Sequence, residues 1–306
     1  MKEDSRILVL GGAGMLGHKI FQVLRSRFEG VLCTIRDDPA QRRFDPVELL
    51  RGSDVIARVD AAATDGLKAL LGRLRPQFVV NCIGIVKQRA EAACPIPSIL
   101  INSLLPHRLS EIAEDWRGRV IHFSTDCVFS GRKGAYSEND PSDAQDLYGR
   151  TKFLGEIARP NALTLRTSII GRELVEHRSL LDWFLSRSGE RVRGFRKVIY
   201  SGVTTNYLAE TVADIIEKNA GLSGLYQVAS QPISKFDLLH LLRDAYRLNV
   251  EIEPDDTEIC DRSMLGDKFR EATGLPCPDW PELVRRLAED PTPYQTFATR
   301  RGAYLK

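Results

Sequence analysis

The chain has 306 residues, of which 43% are hydrophobic and 27% are charged, so it can bury either one large α/β core or a core with a smaller lobe. Its 43 basic and 41 acidic residues are interspersed and leave a formal net charge of +2, which argues against a nucleic-acid partner. No apolar run has the length of a membrane span, and a glycine-rich turn interrupts the first one too early for a signal peptide. The six cysteines form no Cys-x-x-Cys pair, so we expect reduced thiols in a cytoplasmic protein with no bound metal.

The first predicted element is a strand that leads into a glycine turn and a helix. The apolar run at residues 7–10 is followed directly by GGAGMLG, and an amphipathic helix then continues to about Phe28. Glycines at this spacing let the backbone turn tightly and approach a pyrophosphate, while the helix N-terminus offers unpaired N–H groups. The pattern predicts a dinucleotide cofactor, held by Gly11, Gly14, Met15, Leu16 and Gly17.

The second predicted strand, at residues 30–36, ends at the position that selects the cofactor. Arg36 stands there, and a guanidinium at this position can bind a 2′-phosphate. NADP(H) is therefore favoured. NAD(H) remains the alternative, in which Asp37 or Asp38 binds the ribose.

Two further strands are predicted to reach the cofactor. One closes at residues 58–60, where Asp60 either contacts the adenine amine or caps the residues that follow. The other runs over residues 78–84 and ends in a glycine, which brings the backbone close to the cofactor. The predicted contacts from this strand are Cys82, Ile83 and Gly84.

The stretch from residue 119 to residue 155 carries a hydroxyl, a phenol and an ammonium. An apolar strand ends at Thr125, and Tyr148 and Lys152 lie one helical turn apart in a helix that opens near Asp146. We expect the Lys152 ammonium to lower the pKa of the Tyr148 phenol toward the range of general acid-base catalysis. Thr125 would then hydrogen-bond the reacting oxygen. The alternative is that Tyr148 is a packing residue and Lys152 a solvated charge.

The alternation of strands and helices continues to a strand at residues 163–170 and predicts an α/β fold with a Rossmann-type, doubly wound parallel sheet. Between the fourth and fifth strands, a helix predicted at residues 98–115 contains Pro106, which indicates a kink or a break. Asn102 in that helix either holds a water near Lys152 or is an ordinary surface residue.

Several motifs, in this order, resemble the extended short-chain dehydrogenase/reductases and, among them, the dTDP-4-dehydrorhamnose reductase group. They are GGAGMLG at residues 11–17, STD-x-VF-x-G at 124–131, YGRTKFLGE at 148–156, LRTS at 165–168 and SGVTT at 201–205. The resemblance implies that Thr125, Tyr148 and Lys152 are catalytic and that Tyr148 protonates the C4 carbonyl oxygen of a sugar. It also implies that Tyr148 and Lys152 contact the cofactor, Lys152 at the nicotinamide ribose, and that hydride comes from NADPH or NADH.

The resemblance further implies a Rossmann domain over residues 1–171 and a smaller, mainly substrate-binding lobe over residues 172–306, with some later segments returning to the first domain. Helices are expected at about 204–218, 234–247 and 279–289, and a strand at 225–228. The predicted substrate contacts are Thr125, Asp126, Cys127, Ile169, Tyr200, Thr204 and Arg262. Candidates for binding a diphosphate are Arg172, Arg191, Arg193, Arg196, Lys197 and Arg262. Trp183 and Tyr200 are candidates for stacking, with core packing favoured for Trp183.

Two positions depart from the group, which often has an aromatic residue directly after STD and another after RTS. This chain has Cys127 and Ile169 there, so the sugar pocket should differ in shape. The expected activity is reduction of a nucleoside-diphosphate 4-keto-6-deoxysugar at C4, in surface polysaccharide or glycoside biosynthesis. An epimerase with tightly bound cofactor and a non-catalytic NADP-binding regulatory subunit are the alternatives. A homodimer is a further prediction.

Overall fold

The central feature of the fold is a sheet of seven parallel strands. It is seen in a computed structural model that describes residues 7–38, 48–87, 93–174, 177 and 179–294. The strands, numbered along the chain, are β1 (Ile7–Leu10), β2 (Val31–Thr34), β3 (Val55–Ile56), β4 (Phe78–Asn81), β5 (Arg119–Thr125), β6 (Ala162–Thr167) and the later β11 (Gly224–Gln227). Their order is β3-β2-β1-β4-β5-β6-β11. The direction of winding reverses between β1 and β4, which leaves a crevice at the carboxyl ends of these strands.

The described residues form ten α-helices, some of which cover the two faces of this sheet. They are α1 (Met15–Arg27), α2 (Thr64–Leu74), α3 (Pro95–Ser98), α4 (Leu105–Glu114), α5 (Leu147–Leu154), α6 (Leu180–Leu185), α7 (Thr205–Lys218), α8 (Lys235–Tyr246), α9 (Asp267–Thr273) and α10 (Trp280–Ala288). α1 and α7 pack together on one face, and α2 and α4 pack on the other. The predicted Rossmann-type, doubly wound sheet is confirmed. Within the described ranges, no helix has the length and apolar character needed to cross a membrane.

β1 shows why the sequence folds in this way. All of its side chains are buried, and they alternate between the two cores. Ile7 and Val9 belong to the core beneath α1 and α7, whereas Leu8 and Leu10 belong to the core beneath α2 and α4. A strand that is covered on both faces needs an apolar residue at every position, which is the pattern of ILVL.

Three smaller sheets are formed by other strands of the described residues. β7 (Ile169–Ile170) pairs with β10 (Val203–Thr204), β8 (Arg191–Phe195) pairs with β13 (Glu251–Asp255), and β9 (Val198–Tyr200) pairs with β12 (Ile233–Ser234) and β14 (Cys260–Asp261). The strand predicted at residues 163–170 is therefore divided between β6 and β7.

Segments beyond residue 171 return to the central sheet, since β11 pairs with β6 and α7 packs against α1. The expected helices correspond to α7, α8 and α10, and the expected strand corresponds to β11. The division into a dinucleotide-binding domain and a substrate-binding lobe stays a prediction.

The helix predicted at residues 98–115 changes its winding along its length. It consists of the end of α3, a π-helical stretch at Ile99–Leu104 and then α4, with Pro106 as the second residue of α4. Proline cannot donate a hydrogen bond to the preceding turn. The predicted break therefore takes the form of a wider helical turn rather than an interruption.

Candidate active site

The glycine turn between β1 and α1 has no room for side chains at two of its positions. Gly11 has φ +85°, and a Cβ added to Gly17 would lie 2.1 Å from the carbonyl oxygen of Gly11. Gly14 is the N-cap of α1, and among the described atoms a Cβ there would meet only Gly11 O, at 3.4 Å. The space in front of the helix is thus open, and its first turn carries no acidic residue. These features fit a dinucleotide pyrophosphate.

Residues 82–84 continue β4 beside the glycine turn. A Cβ on Gly11 would lie 3.0 Å from Ile83 Cγ1 and 3.3 Å from the backbone of Cys82. The loop beyond them is held by Asn102, whose side-chain amide accepts from Ile85 N at 2.9 Å and donates to Ile85 O at 3.0 Å. Asn102 is 1% exposed, so the prediction that it is an ordinary surface residue is wrong. Its side chain fixes the loop that follows β4.

Two arginines lie close to the end of β2. Arg36 is exposed, two residues beyond that strand. Arg58 reaches the same segment, because its N–H donates to Asp37 O at 3.4 Å and its Nη2 pairs with Asp38 Oδ2 at 2.5 Å. A second guanidinium, which the sequence analysis did not single out, therefore accompanies Arg36.

The third strand ends earlier than predicted. β3 stops at Ile56, and Arg58 has φ +60°, which no extended strand accommodates. Asp60 is exposed and its Oδ1 accepts from Ala62 N at 2.9 Å. Of the two roles considered for Asp60, the structure shows the capping of a turn.

Tyr148 is placed against the end of β5 by the tight packing of α5. Asp146 caps this helix, its Oδ1 accepting from Gly149 N at 2.8 Å. A Cβ on Gly149 would lie 2.2 Å from Cys127 O, so the helix packs directly on the residues that follow the strand. The Thr125 hydroxyl accepts from Cys127 N at 3.1 Å and donates to Asp126 Oδ1 at 3.0 Å. It lies beside the half-buried Tyr148 side chain and acts to lower the pKa of that phenol, against the larger effect of burial. The predicted hydroxyl and phenol are thus neighbours.

Lys152 is buried on the same helix, but its ammonium is directed to the strand. Its Nζ donates to Phe123 O at 2.5 Å. Burial lowers the pKa of Lys152 from 10.5 to about 8, partly opposed by the Glu156 carboxylate. Burial also raises the pKa of Tyr148, with the neighbouring Cys127 acting in the same direction. The expectation that Lys152 lowers the pKa of Tyr148 is therefore wrong for this structure, because loss of water around the phenol dominates.

A second cation approaches the phenol from the loop after β4. Lys87 pairs with Asp146 Oδ2 at 2.8 Å, and its Nζ lies 5.9 Å from the centre of the Tyr148 ring. Lys87 is not among the residues predicted from the sequence. No local pattern indicates the contact, since Asp146 follows 59 residues later.

Arg262 and Lys235 bring two more cations to the residues after Thr125. Arg262 Nη1 lies 3.8 Å from Cys127 Sγ. Lys235, the first residue of α8, faces Asp126 and Cys127. Burial lowers the pKa of Lys235, while these two groups oppose that effect. Arg262 was predicted here, whereas Lys235 was missed because in the sequence it is only a charge at a helix start.

Two predicted substrate contacts have structural roles instead. Tyr200 is 5% exposed. The centre of its ring lies 5.4 Å from the centre of the Trp280 ring and 4.0 Å from Lys235 Nζ. Thr204 is fully buried and caps α7, its hydroxyl accepting from Tyr207 N at 3.3 Å. Neither side chain presents a surface to a substrate. Of the other candidates, Ile169 and Trp183 are partly buried against the main core, as favoured for Trp183.

Most of the candidate diphosphate-binding arginines are engaged by carboxylates. The pairs are Arg172 with Asp182, Arg191 with Glu251 and Glu253, Arg193 with Asp255, and Arg196 with Asp256. The last three pairs lie along or beside the strands β8 and β13. Four of the candidates are therefore already ion-paired, and which residues contact the diphosphate stays a prediction.

The fold and the site together define a class of protein. A glycine turn at a Rossmann switch point, with a Thr-Tyr-Lys set on the adjoining strand and helix, is the arrangement of a dinucleotide-dependent short-chain dehydrogenase/reductase. Comparison with known families is more specific: the chain belongs to the family described as RmlD substrate binding domain, whose model matches residues 5–290.

Individual relatives are distant. The chain is 25% identical to a probable dTDP-4,6-dihydroxy-2-methyloxan-3-one 4-ketoreductase of Streptomyces antibioticus, over 97% of this chain and 99% of that protein. It is 28% identical to a probable low-salt glycan biosynthesis reductase of Haloferax volcanii, over 73% of this chain and 74% of that protein. It is also 24% identical to the methionine adenosyltransferase 2 subunit beta of Danio rerio, over 79% and 74%.

Solved structures share the fold. A dTDP-4-dehydrorhamnose reductase of Bacillus anthracis, determined in complex with NADP, superimposes with a TM-score of 0.74 at 18% identity, covering 92% of this chain and 98% of that one. At this identity, the likeness concerns the fold.

Proposed function

We propose that this protein uses NADPH to reduce the C4 keto group of a nucleoside-diphosphate 4-keto-6-deoxysugar in glycan or glycoside biosynthesis. The observation that carries the proposal is that α5 packs on the residues after β5 and so brings Tyr148 beside Thr125 at the carboxyl end of that strand. β5 adjoins β4, and β4 adjoins β1, which leads into the glycine turn. The phenol and the proposed cofactor site therefore share one edge of the sheet.

The chain's own residues would act as follows. A bound nicotinamide supplies the hydride. Tyr148 donates its proton to the C4 oxygen, and Thr125 hydrogen-bonds that oxygen and holds it beside the phenol. Because burial raises the pKa of Tyr148, the phenol keeps its proton at neutral pH. It therefore begins the reaction as an acid, which suits reduction of a carbonyl.

Cofactor choice follows from the arginines beside β2. Arg36 is exposed at the position where a 2′-phosphate binds, and Arg58 lies next to it on Asp38. Asp38 is engaged by Arg58, so it is less suited to hold two ribose hydroxyls. We therefore favour NADP(H) over NAD(H).

The proposed substrate site includes two cations. Arg262 and Lys235 flank Cys127, where the group often has an aromatic residue. Cations at this place suit the phosphates of a nucleoside-diphosphate sugar. A missing aromatic wall typically costs on the order of 1–3 kcal/mol for a ligand that needs it. The preferred sugar should therefore differ from the rhamnose precursor and be bulkier, for example a 2-acetamido or heptose derivative.

The test is a panel of nucleoside-diphosphate 4-keto-6-deoxysugars, with NADPH absorbance followed and products identified by NMR. One NADPH should be consumed per sugar reduced. Conversion without net NADPH loss would indicate the epimerase alternative. If no sugar were converted although the cofactor bound, the non-catalytic subunit would be favoured, which the similarity to a methionine adenosyltransferase subunit keeps open. If the rhamnose precursor gave the highest kcat/KM, the altered-pocket argument would be wrong.

Two predictions, of the cellular compartment and of the oligomeric state, also stay proposals. The six cysteines of the chain are free thiols, which suits the cytoplasm. A homodimer is the other, and light scattering would test it.

A further inference from the structure

The segment that follows α10 packs on a buried polar face of α1. Lys19 is 3% exposed although it is charged, and its Nζ pairs with Asp290 Oδ2 at 2.6 Å and donates to Thr292 Oγ1 at 3.0 Å. Asp290 also accepts from Asn206 Nδ2 at 2.8 Å. A buried ion pair of this kind holds its partners in one geometry, because each charge is costly to leave unpaired. Residues 290–294 are thereby fixed against the dinucleotide-binding helix.

A second contact of the same segment reaches the glycine turn itself. Tyr294 OH lies 2.8 Å from His18 Nε2, and His18 Nδ1 lies 2.9 Å from Gly14 O. A carbonyl oxygen can only accept, so Nδ1 carries the proton and Nε2 accepts from the tyrosine. Burial lowers the pKa of His18 to about 4, which keeps the ring neutral. The hydrogen bonds therefore run in one direction, from Tyr294 through His18 to Gly14.

The carbonyl at the end of this chain belongs to the peptide that faces the cofactor site. Gly14 O accepts from both the backbone N–H and the ring of His18. The peptide is planar, so holding this oxygen also fixes the direction of the Met15 N–H on the opposite side of the same unit. Met15 is the first residue of α1, where free N–H groups bind phosphate. Linked hydrogen bonds also polarise one another.

Tyr294 also contacts Arg172, which lies just after β7. Arg172 Cζ lies 5.0 Å from the centre of the tyrosine ring, and Arg172 Nε pairs with Asp182 Oδ1 of α6 at 2.6 Å. Tyr294 thus stands between α1 and residues that follow β7. It is placed to couple the position of these residues to the glycine turn.

We propose that Tyr294 and His18 are positioning residues, through which the segment at residues 290–294 orients the Gly14–Met15 peptide for binding the cofactor pyrophosphate. The inference rests on the proposed dinucleotide binding at the glycine turn. Tyr294 and His18 would thus affect cofactor affinity indirectly, through the Gly14–Met15 peptide, without touching the cofactor themselves.

The test is isothermal titration of NADPH against Tyr294→Phe, which removes the hydroxyl and keeps the ring. We expect the Kd to rise roughly three- to tenfold, the worth of one hydrogen bond, with kcat nearly unchanged at saturating cofactor. Tyr207→Phe is the matched control, because it removes the hydroxyl of another buried tyrosine, which donates to Pro276 O at 3.0 Å rather than to His18. Its Kd should equal that of the wild type.

A double variant protects the test against misfolding. His18→Leu with Tyr294→Phe leaves neither polar partner unpaired, so it should fold even if a single variant does not. If the two residues act as one unit, the double variant should bind NADPH no more weakly than His18→Leu alone. Equal Kd values for Tyr294→Phe, the double variant and the wild type would overturn the inference alone. A wild-type protein that bound neither NADPH nor NADH would overturn the proposed function as well.

Discussion

Replacing Lys152 by methionine should alter the stability of the protein in a pH-dependent manner. Lys152 is 6% exposed, and its ammonium donates to Phe123 O at 2.5 Å. Loss of water around the ammonium lowers the pKa of Lys152 from 10.5 to about 8. Methionine has a similar length and no charge, so the variant removes the ionisation while it preserves most of the packing.

The magnitude follows from the difference between the folded and unfolded pKa values. At pH values between the folded pKa of about 8 and the unfolded pKa of 10.5, the unfolded chain holds a proton on Lys152 that the folded chain has released. The contribution of Lys152 to stability therefore rises with pH in this window. Below that window the folded protein carries the full cost of the buried charge, about 3 kcal/mol at about 1.4 kcal/mol per pKa unit. The stability of Lys152→Met relative to the wild type should therefore fall by about that amount from pH ~7 to pH ~10.5.

Urea denaturation of both proteins at several pH values across this window measures the difference directly. Lys68→Met is the control, because Lys68 is exposed on α2 and its variant should differ from the wild type by a constant amount. Other groups titrate in the same range in all three proteins, and the comparison removes their contribution. A flat difference for Lys152→Met, or one that rises with pH, would refute the argument that burial controls this lysine.

Three other substitutions test the site. Tyr148→Phe should reduce kcat about 100-fold or more, as loss of a general acid typically does, with NADPH affinity by titration nearly unchanged; retention of more than about a tenth of kcat would exclude Tyr148 as the acid. Arg36→Asp should weaken NADPH more than NADH in calorimetry, because a carboxylate repels the 2′-phosphate, and equal losses would remove Arg36 from the site. Gly17→Ala should abolish dinucleotide binding, since its Cβ would lie 2.1 Å from Gly11 O. Gly66→Ala is the control and should bind the dinucleotide normally, because no described atom lies within 4 Å of its Cβ. Normal binding by both variants would contradict the packing argument.

What the sequence could predict is what local chemistry dictates. The glycine turn, the Tyr148-Lys152 spacing and the strand ending at Thr125 are each contained in a few consecutive residues. The alternating cores of β1 also follow directly from ILVL. These features allowed the sheet and the proposed catalytic set to be located before the fold was known.

The roles that were missed or misassigned depend on partners far away in the chain. Arg193 is paired with Asp255, 62 residues later, and nothing beside Arg193 in the sequence indicates this. Thr204 illustrates a different difficulty, because a threonine before a helix can equally cap it or face a ligand. Lys235 lies over the Tyr200 ring and within electrostatic range of Asp126 only because of the way α8 packs.

The ionisation of Lys152 should also appear in catalysis. When Tyr148 gives up its proton, it becomes a phenolate in surroundings that already raise its pKa, so the reaction depends on a nearby positive charge. Lys152 is on the same helical face, one turn away. In the unliganded structure its ammonium is bonded to Phe123 O and does not lower the pKa of Tyr148, so we expect it to stabilise the phenolate by turning toward it once the sugar and the cofactor are bound. When the pH exceeds the Lys152 pKa of about 8, the ammonium of the free enzyme loses its proton and its charge. The value of kcat/KM for the sugar should therefore decline as pH rises through this pKa, because kcat/KM reports ionisations of the free enzyme.

Lys152→Arg, which stays charged at these pH values, should retain less activity at neutral pH because the larger guanidinium does not fit, but should lack the alkaline decline. A wild-type profile that stayed level to pH ~10 would show that the charge of Lys152 is not required.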